Sequence, residues 1–153
     1  MNKGSTHIQV VFKLQRVNDY PPASRERIWA KLLNDTECQV DSIPFFVNGI
    51  SLGDVITIVQ RKDKYHFAGL VAESGHSTLR VIFFDEGRIS SLRSELRKMG
   101  CSSELFSKLG LIAIDVPPNV SLQNVAALLT QGENQGYWEY EEAALSDKHH
   151  SSS

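Results

Sequence analysis

TLRVIFFDEGRISSLRSELRKMG, residues 78–100, changes its period half-way along. Its first part carries Leu79, Val81, Ile82, Phe83 and Phe84 in a short apolar run, which predicts a strand over 78–85. From there the apolar residues Ile89, Leu92, Leu96 and Met99 recur at helical spacing. Arg88, Arg93, Glu95, Arg97 and Lys98 fill the polar positions, and Gly100 supplies the stop. A strand that gives way to an amphipathic helix puts this half of the chain among mixed α and β structures.

Upstream of this stretch the period is two. Ile8, Val10, Phe12 and Leu14 alternate with Gln9, Lys13 and Gln15, the signature of a half-buried strand over 7–16. Tyr20-Pro21-Pro22 ends it, because the two prolines donate no backbone hydrogen bonds. Arg27–Leu33 and Cys38–Val40 flank the polar turn Asn34-Asp35-Thr36 and predict a hairpin; Ser24 offers an N-cap for a competing helix over Ser24–Leu33, and strand is preferred. Ile43-Pro44-Phe45-Phe46-Val47 has a proline inside it and reads as a loop pinned to the core by its phenylalanines. Asp54–Gln60 and Tyr65–Glu73 predict a second hairpin across Arg61-Lys62-Asp63-Lys64.

Downstream, Ser102 is placed to cap a short helical turn through Leu105 and Phe106 that ends at Gly110. Leu111–Val116 predicts a brief buried strand stopped by Pro117-Pro118. Ser121 caps a helix with the stripe Leu122, Val125, Leu128 and Leu129, stapled by Val120 and Val125 and ended by Gly132. Tyr137–Leu145 predicts the last strand, and 146–153 a flexible polar tail. The expected fold is α+β: an antiparallel small-barrel-like sheet followed by a partial ferredoxin-like β-α-β-α-β lobe. Residues 1–145 are expected to form one compact domain with lobes at about 1–77 and 78–145.

Composition narrows the function classes. Sixteen Lys and Arg against eighteen Asp and Glu give a net charge of −2, which argues against a protein built mainly to grip nucleic acid. Cys38 and Cys101 stand alone, so neither a disulfide framework nor a CxxC pair exists, and a reducing, cytoplasmic setting is expected. No stretch approaches the roughly 18 apolar residues of a membrane span, and no targeting segment is evident. His7, His66 and His76 are widely spaced and no cysteine lies near a matching ligand, so no metal is expected; His149-His150 reads as exposed tail. No phosphate-cradling glycine motif occurs, and no cofactor is expected.

Two stretches invite chemistry. Glu73-Ser74-Gly75-His76-Ser77-Thr78 packs an acid, a histidine and three hydroxyls around a glycine. With Asp54 or Asp41 brought near, Ser74, Gly75, His76 and Ser77 form a candidate site for an anionic small ligand, with His76 as acid or base. The bland reading is a strand–strand turn whose hydroxyls serve local backbone groups, and it has the better case. The other stretch is Trp138, Glu139, Tyr140, Glu141 and Glu142: Trp138, Tyr140 and Glu142 share one face of a strand, Tyr137, Glu139 and Glu141 the other. Aromatic anchors among carboxylates suit a basic protein partner, although core packing explains the aromatics as well. Arg88, Arg93, Arg97 and Lys98 could meet RNA phosphates, but Glu86, Glu95 and Glu104 dilute them and a solvated helix face is preferred. Trp29, near Arg25 and Arg27, could stack a base; core filling is the expectation.

The segments Ile43–Asp54 and Glu73–Val81, with Arg25–Trp29 and Tyr137–Glu142, resemble a bacterial family known as domain of unknown function 4265. The resemblance covers most of the chain. It implies a small, usually stand-alone bacterial domain with a motif region at Phe45, Phe46, Gly53, Asp54, Ser74, Gly75, His76 and Ser77, and it assigns no activity. A small, mildly acidic domain of that kind without a catalytic constellation fits a non-enzymatic, cytoplasmic immunity protein. Such a protein occludes the basic active-site cleft of a cognate secreted toxin of nuclease or ADP-ribosyltransferase type. The alternative is a small-ligand or phosphate-binding domain, or an enzyme, using the Glu73–Thr78 turn.

Overall fold

The computed structural model describes residues 6–152. The chain divides between Ser74 and Gly75 into two compact units, three residues ahead of the expected lobe boundary. It is α+β, with nine strands and three α-helices among the described residues.

The first unit is a closed barrel of five strands in chain order, β1 (His7–Lys13), β2 (Arg25–Leu32), β3 (Glu37–Val40), β4 (Val55–Arg61) and β5 (Lys64–Ala72). Successive strands pair antiparallel. Five alternating strands leave the first and last running the same way, so the barrel closes through a parallel pairing, Val10 opposite Tyr65 and Val11 opposite His66. Both expected hairpins form. Asn34 shapes the first turn by accepting the Thr36 N–H at 2.9 Å, and Lys62 and Asp63, both at positive φ, make the second. Phe12, Ile28, Ala30, Cys38, Val40, Ile56 and Ile58 fill the interior.

The loop between β3 and β4 also enters that core, but not by its phenylalanines. Val47 and Ile50 join the interior cluster while Phe45 and Phe46 stay half-buried. Glu26 holds the loop in place, its carboxylate accepting the backbone N–H groups of Phe45 (2.7 Å), Phe46 and Val47 (3.0 Å each). The short side chain of Val47 suits the interior better than a phenyl ring would, since Phe12 and Phe67 already stack there at 4.6 Å.

The second unit runs β6 (Ser77–Phe83), α1 (Ile89–Lys98), β7 (Ser102–Phe106), β8 (Leu111–Val116), α2 (Leu122–Asn134), β9 (Trp138–Ala144) and α3 (Asp147–Ser152), with a sheet order β7-β8-β6-β9. This is the complete ferredoxin-like β-α-β-β-α-β unit. The expected helical turn after Ser102 is instead β7, paired with β8 from Ser102–Asp115 to Phe106–Leu111. All six residues of β8 are buried, so its backbone needs a partner on each side, and the neighbouring chain takes up the extended form. Gly100 ends α1 at φ +96°, with Cys101 N–H on Leu96 C=O (2.8 Å) and Gly100 N–H on Arg97 C=O (3.0 Å). Ser121 caps α2 through the Asn124 N–H, as expected. Gly132, expected to end α2, lies inside it. Leu79, Val81, Phe83, Ile112, Ile114 and Val116 face Leu92, Leu96, Val125 and Leu129 of the helices, with Trp138 closing the cluster.

Candidate functional site

The Glu73–Thr78 turn spreads its polar groups over several separate tasks. Asp54, 3% exposed, accepts the Ser51 and Ser74 N–H groups, both at 2.9 Å, and the Ser74 hydroxyl donates to Leu52 C=O at 2.7 Å. Asp54 and Ser74 thus tie down a loop of the first unit. Gly75, at φ +98°, opens the second unit, and a Cβ there would lie 3.3 Å from Pro118 Cβ. Asp54 and Ser74 belong to one compact unit and Gly75, His76 and Ser77 to the other.

At the start of β6 two histidines anchor in opposite ways. Ser77 is fully buried; its hydroxyl meets Nδ1 of His149 at 2.6 Å and accepts the Ser146 N–H at 2.9 Å. His149 Nε2 donates to Pro117 C=O at 2.8 Å, since a carbonyl only accepts, and Nδ1 faces the Ser77 hydroxyl. This serine–histidine–carbonyl chain resembles a nucleophile with its base, yet Ser77 and His149 have 0% and 1% exposure. No substrate reaches the oxygen, so the arrangement is a clasp that pins α3 to the sheet. The expected flexible tail is therefore a helix with its histidine in the core. Seventy-two residues separate the two partners, and no local pattern announces the contact.

His76 differs, because its ring is a quarter exposed while Nδ1 lies 2.7 Å from the Asp115 carboxylate. That contact orients the imidazole. Asp115 itself is 3% exposed, and burial pushes its carboxyl above the ordinary value of 3.8; the hydrogen bond and charge of His76 offset this only in part. The folded state then holds the proton more tightly than the unfolded state. Stability from the neutral carboxyl is complete below the unfolded pKa and is lost as the pH rises through the folded one. Asp115→Asn keeps an acceptor for His76 without the buried charge. It is expected to be more stable than the parent near pH 7, with the advantage vanishing near pH 3, as read from urea midpoints at both.

The thiols take no part: burial pushes Cys38 to about 11, and burial with the Asp115 charge does the same to Cys101, so both stay protonated at neutral pH. Among the described residues no group of three or more His, Cys, Asp or Glu is arranged to hold a metal ion.

Strand β9 forms one edge of the second unit's sheet. Glu139, Glu141 and Glu142 are exposed on it. Opposite Phe83, Val81 and Leu79 respectively, Trp138, Tyr140 and Glu142 share the helix-facing side, whereas Glu139 and Glu141 lie opposite Ile82 and Arg80 on the other. Glu141 sits 3.4 Å from Arg80. Trp138 is not an exposed anchor: it is 5% exposed, donates its ring N–H to Leu129 C=O at 2.9 Å and packs edge-on against Phe83. Tyr140 is half-buried, its hydroxyl 3.0 Å from Thr130.

The cationic residues of α1 and its approach are largely engaged. Arg88 lies 3.5 Å over the Tyr137 ring and 3.5 Å from Asp85, Arg93 donates twice to Ser103, and Lys98 pairs with Glu95. Trp29 does the reverse of what was expected: it is 49% exposed rather than in the core. It shares the parity of Arg25, Arg27 and Lys31, while Ile28 and Ala30 point inward; that alternation was a signal available in the sequence.

A five-stranded barrel joined to a ferredoxin-like unit, with its serine–histidine pair sealed and an acidic strand at one edge, defines a class of small two-unit α+β proteins. The chain belongs to the family described as domain of unknown function (DUF4265), whose model matches residues 26–140. It is similar in fold to a hypothetical protein from Neisseria gonorrhoeae with a crystal structure, at 18% identity and a TM-score of 0.76, over 95% of this chain and 99% of that one. No curated protein matches it. No helix among the described residues is long and apolar enough to cross a membrane.

Proposed function

We propose that this protein is a non-enzymatic binding protein of the immunity type, acting in the cytoplasm to occlude the basic active-site cleft of a cognate secreted toxin. The observation that carries this reading is the edge strand β9, where Glu139, Glu141 and Glu142 stand exposed. A cleft that handles phosphate-bearing substrates is cationic, and three carboxylates on both faces of one edge imitate that substrate charge. The sealed Ser77 and the protonated, buried thiols favour binding over chemistry.

The test is capture of the tagged protein from its native cells, identification of a stoichiometric companion as a toxin, and charge reversal. Glu139→Lys with Glu142→Lys leaves the Arg80–Glu141 contact intact. The double variant is expected to bind the toxin at least about tenfold more weakly and to lose protection, since like charges at an interface cost several kcal/mol. Undiminished affinity would remove β9 as the recognition surface, and a companion without toxic activity would remove the immunity reading.

A further inference from the structure

The outer wall of the barrel carries the molecule's most exposed tryptophan, and its surroundings differ from β9 in sign. Along β2, Arg25, Arg27, Trp29 and Lys31 alternate outward. Their neighbours across the sheet on β1 are Lys13, Val11, Gln9 and His7 in that order. The groove over this wall has a volume of about 440 Å³ and is lined by Gln9, Val11, Arg27, Trp29, Lys64 and Tyr65, among others. Two acids belong to the same region: Asp41 contacts His7 at 2.9 Å and Lys31 at 4.0 Å, and Asp63 lines the groove. Lys13, Arg25, Arg27 and Lys64 have no ion pair among the described residues.

We propose that the β1–β2 face of the barrel is a binding surface for single-stranded nucleic acid, with Trp29 stacking a base and Lys13, Arg25, Arg27 and Lys64 meeting the phosphates. A half-exposed indole that shares its groove with Arg27 and Lys64 gains nothing from the core and suits a ligand that is flat and anionic at once. Every base offers a π-face, and the backbone beside it supplies regularly spaced charge. An acidic protein segment supplies the charge without the stacking face. A duplex keeps its bases stacked away from the indole. The overall charge of −2 argues against a chain that grips nucleic acid over its whole surface, but at physiological salt the field at this groove is set by charges within roughly 8 Å. The stretch from Arg25 to Lys31 spans about 20 Å at 3.3 Å per residue, room for a short oligonucleotide.

The experiment is fluorescence anisotropy of the full chain with fluorescein-labelled 12-nucleotide oligo(U) and oligo(dT). Binding in the micromolar range is expected at ~50 mM salt, weakening about 20- to 50-fold by ~200 mM if three to four phosphates are neutralised. Trp29→Ala is expected to weaken binding about five- to 150-fold, the equivalent of one stacked base, and Trp29→Phe to restore most of it. Arg25→Glu with Arg27→Glu should abolish it. Because Trp29 is already half in water, these variants keep the barrel, which circular dichroism checks. No binding of either oligomer at ~50 mM salt with protein near 10⁻⁴ M would overturn the proposal, as would Trp29→Ala binding like the parent. Displacement by free uridine monophosphate at the concentration at which oligo(U) itself competes would replace a polymer surface with a mononucleotide pocket, and overturns it too.

Discussion

Gly132→Val is expected to lower stability by about 3–5 kcal/mol, the scale of removing a buried tryptophan. A Cβ built at Gly132 would lie 1.9 Å from Trp138 Cζ2 and 2.3–2.4 Å from two further ring atoms. The ring has nowhere to go: its N–H is fixed to Leu129 C=O at 2.9 Å, and Phe83 meets it with ring centroids 5.5 Å apart. Helix α2 therefore carries a glycine in its interior, despite the roughly 1 kcal/mol this costs relative to alanine, so that β9 can lay its tryptophan against the helix backbone. Urea unfolding followed by tryptophan fluorescence measures the loss. The cause is separable by a cycle: in a Trp138→Leu background the added side chain at 132 should cost at least about 2 kcal/mol less than in the parent. Equal costs in both backgrounds would place the damage elsewhere.

Glu26→Ala is expected to cost about 2–4 kcal/mol, larger than the usual effect at a half-exposed position. One carboxylate accepts three backbone N–H groups, from Phe45, Phe46 and Val47, and net contributions of about 1.5–3 kcal/mol per charged hydrogen bond do not simply add. The loss should be local as well as global, because the loop that Glu26 holds delivers Val47 and Ile50 to the barrel interior. Hydrogen exchange is the discriminating readout: amides 45–47 should exchange faster in Glu26→Ala than in the parent, beyond what the global loss explains. Glu26→Gln keeps one acceptor oxygen and should fall between the two.

Much of the framework was readable from local rules. The alternation in β1, the hairpin turns at Asn34–Thr36 and Lys62–Asp63, the Gly100 stop and the Ser121 cap each follow from the conformations that a few adjacent residues permit. The likeness to the DUF4265 family, carried by Ile43–Asp54, Glu73–Val81, Arg25–Trp29 and Tyr137–Glu142, was also legible, and the family's model matches residues 26–140. Other features depended on partners far along the chain. Strand β7 exists because β8 needs a second partner, and its five residues have no strong pattern of their own. His149 is a core residue because Ser77 and Pro117 C=O stand opposite its two nitrogens. The candidate ligand turn divided for the same reason, with Asp54 and Ser74 spent on their loop and His76 turned to Asp115.

The two tryptophans show where the division falls. Each strand's parity was fixed by sequence: Trp29 alternates with Ile28 and Ala30, and Trp138 lies in phase with Tyr140 and Glu142. Alternation is a property of the extended backbone and needs nothing beyond neighbouring residues. Which parity meets a core is decided only when another element arrives to cover it. Helix α2, with Gly132 leaving room, covers the Trp138 side of β9. The barrel closes over Ile28 and Ala30 and leaves Trp29 on the outer wall. Sequence alone thus determined most of the elements, the Gly100 stop, the Ser121 cap and the phase of the alternating strands, while β7, α3 and the end of α2 beyond Gly132 needed the tertiary structure. Tertiary structure decided which phase is buried, because burial is a relation between surfaces that are distant along the chain.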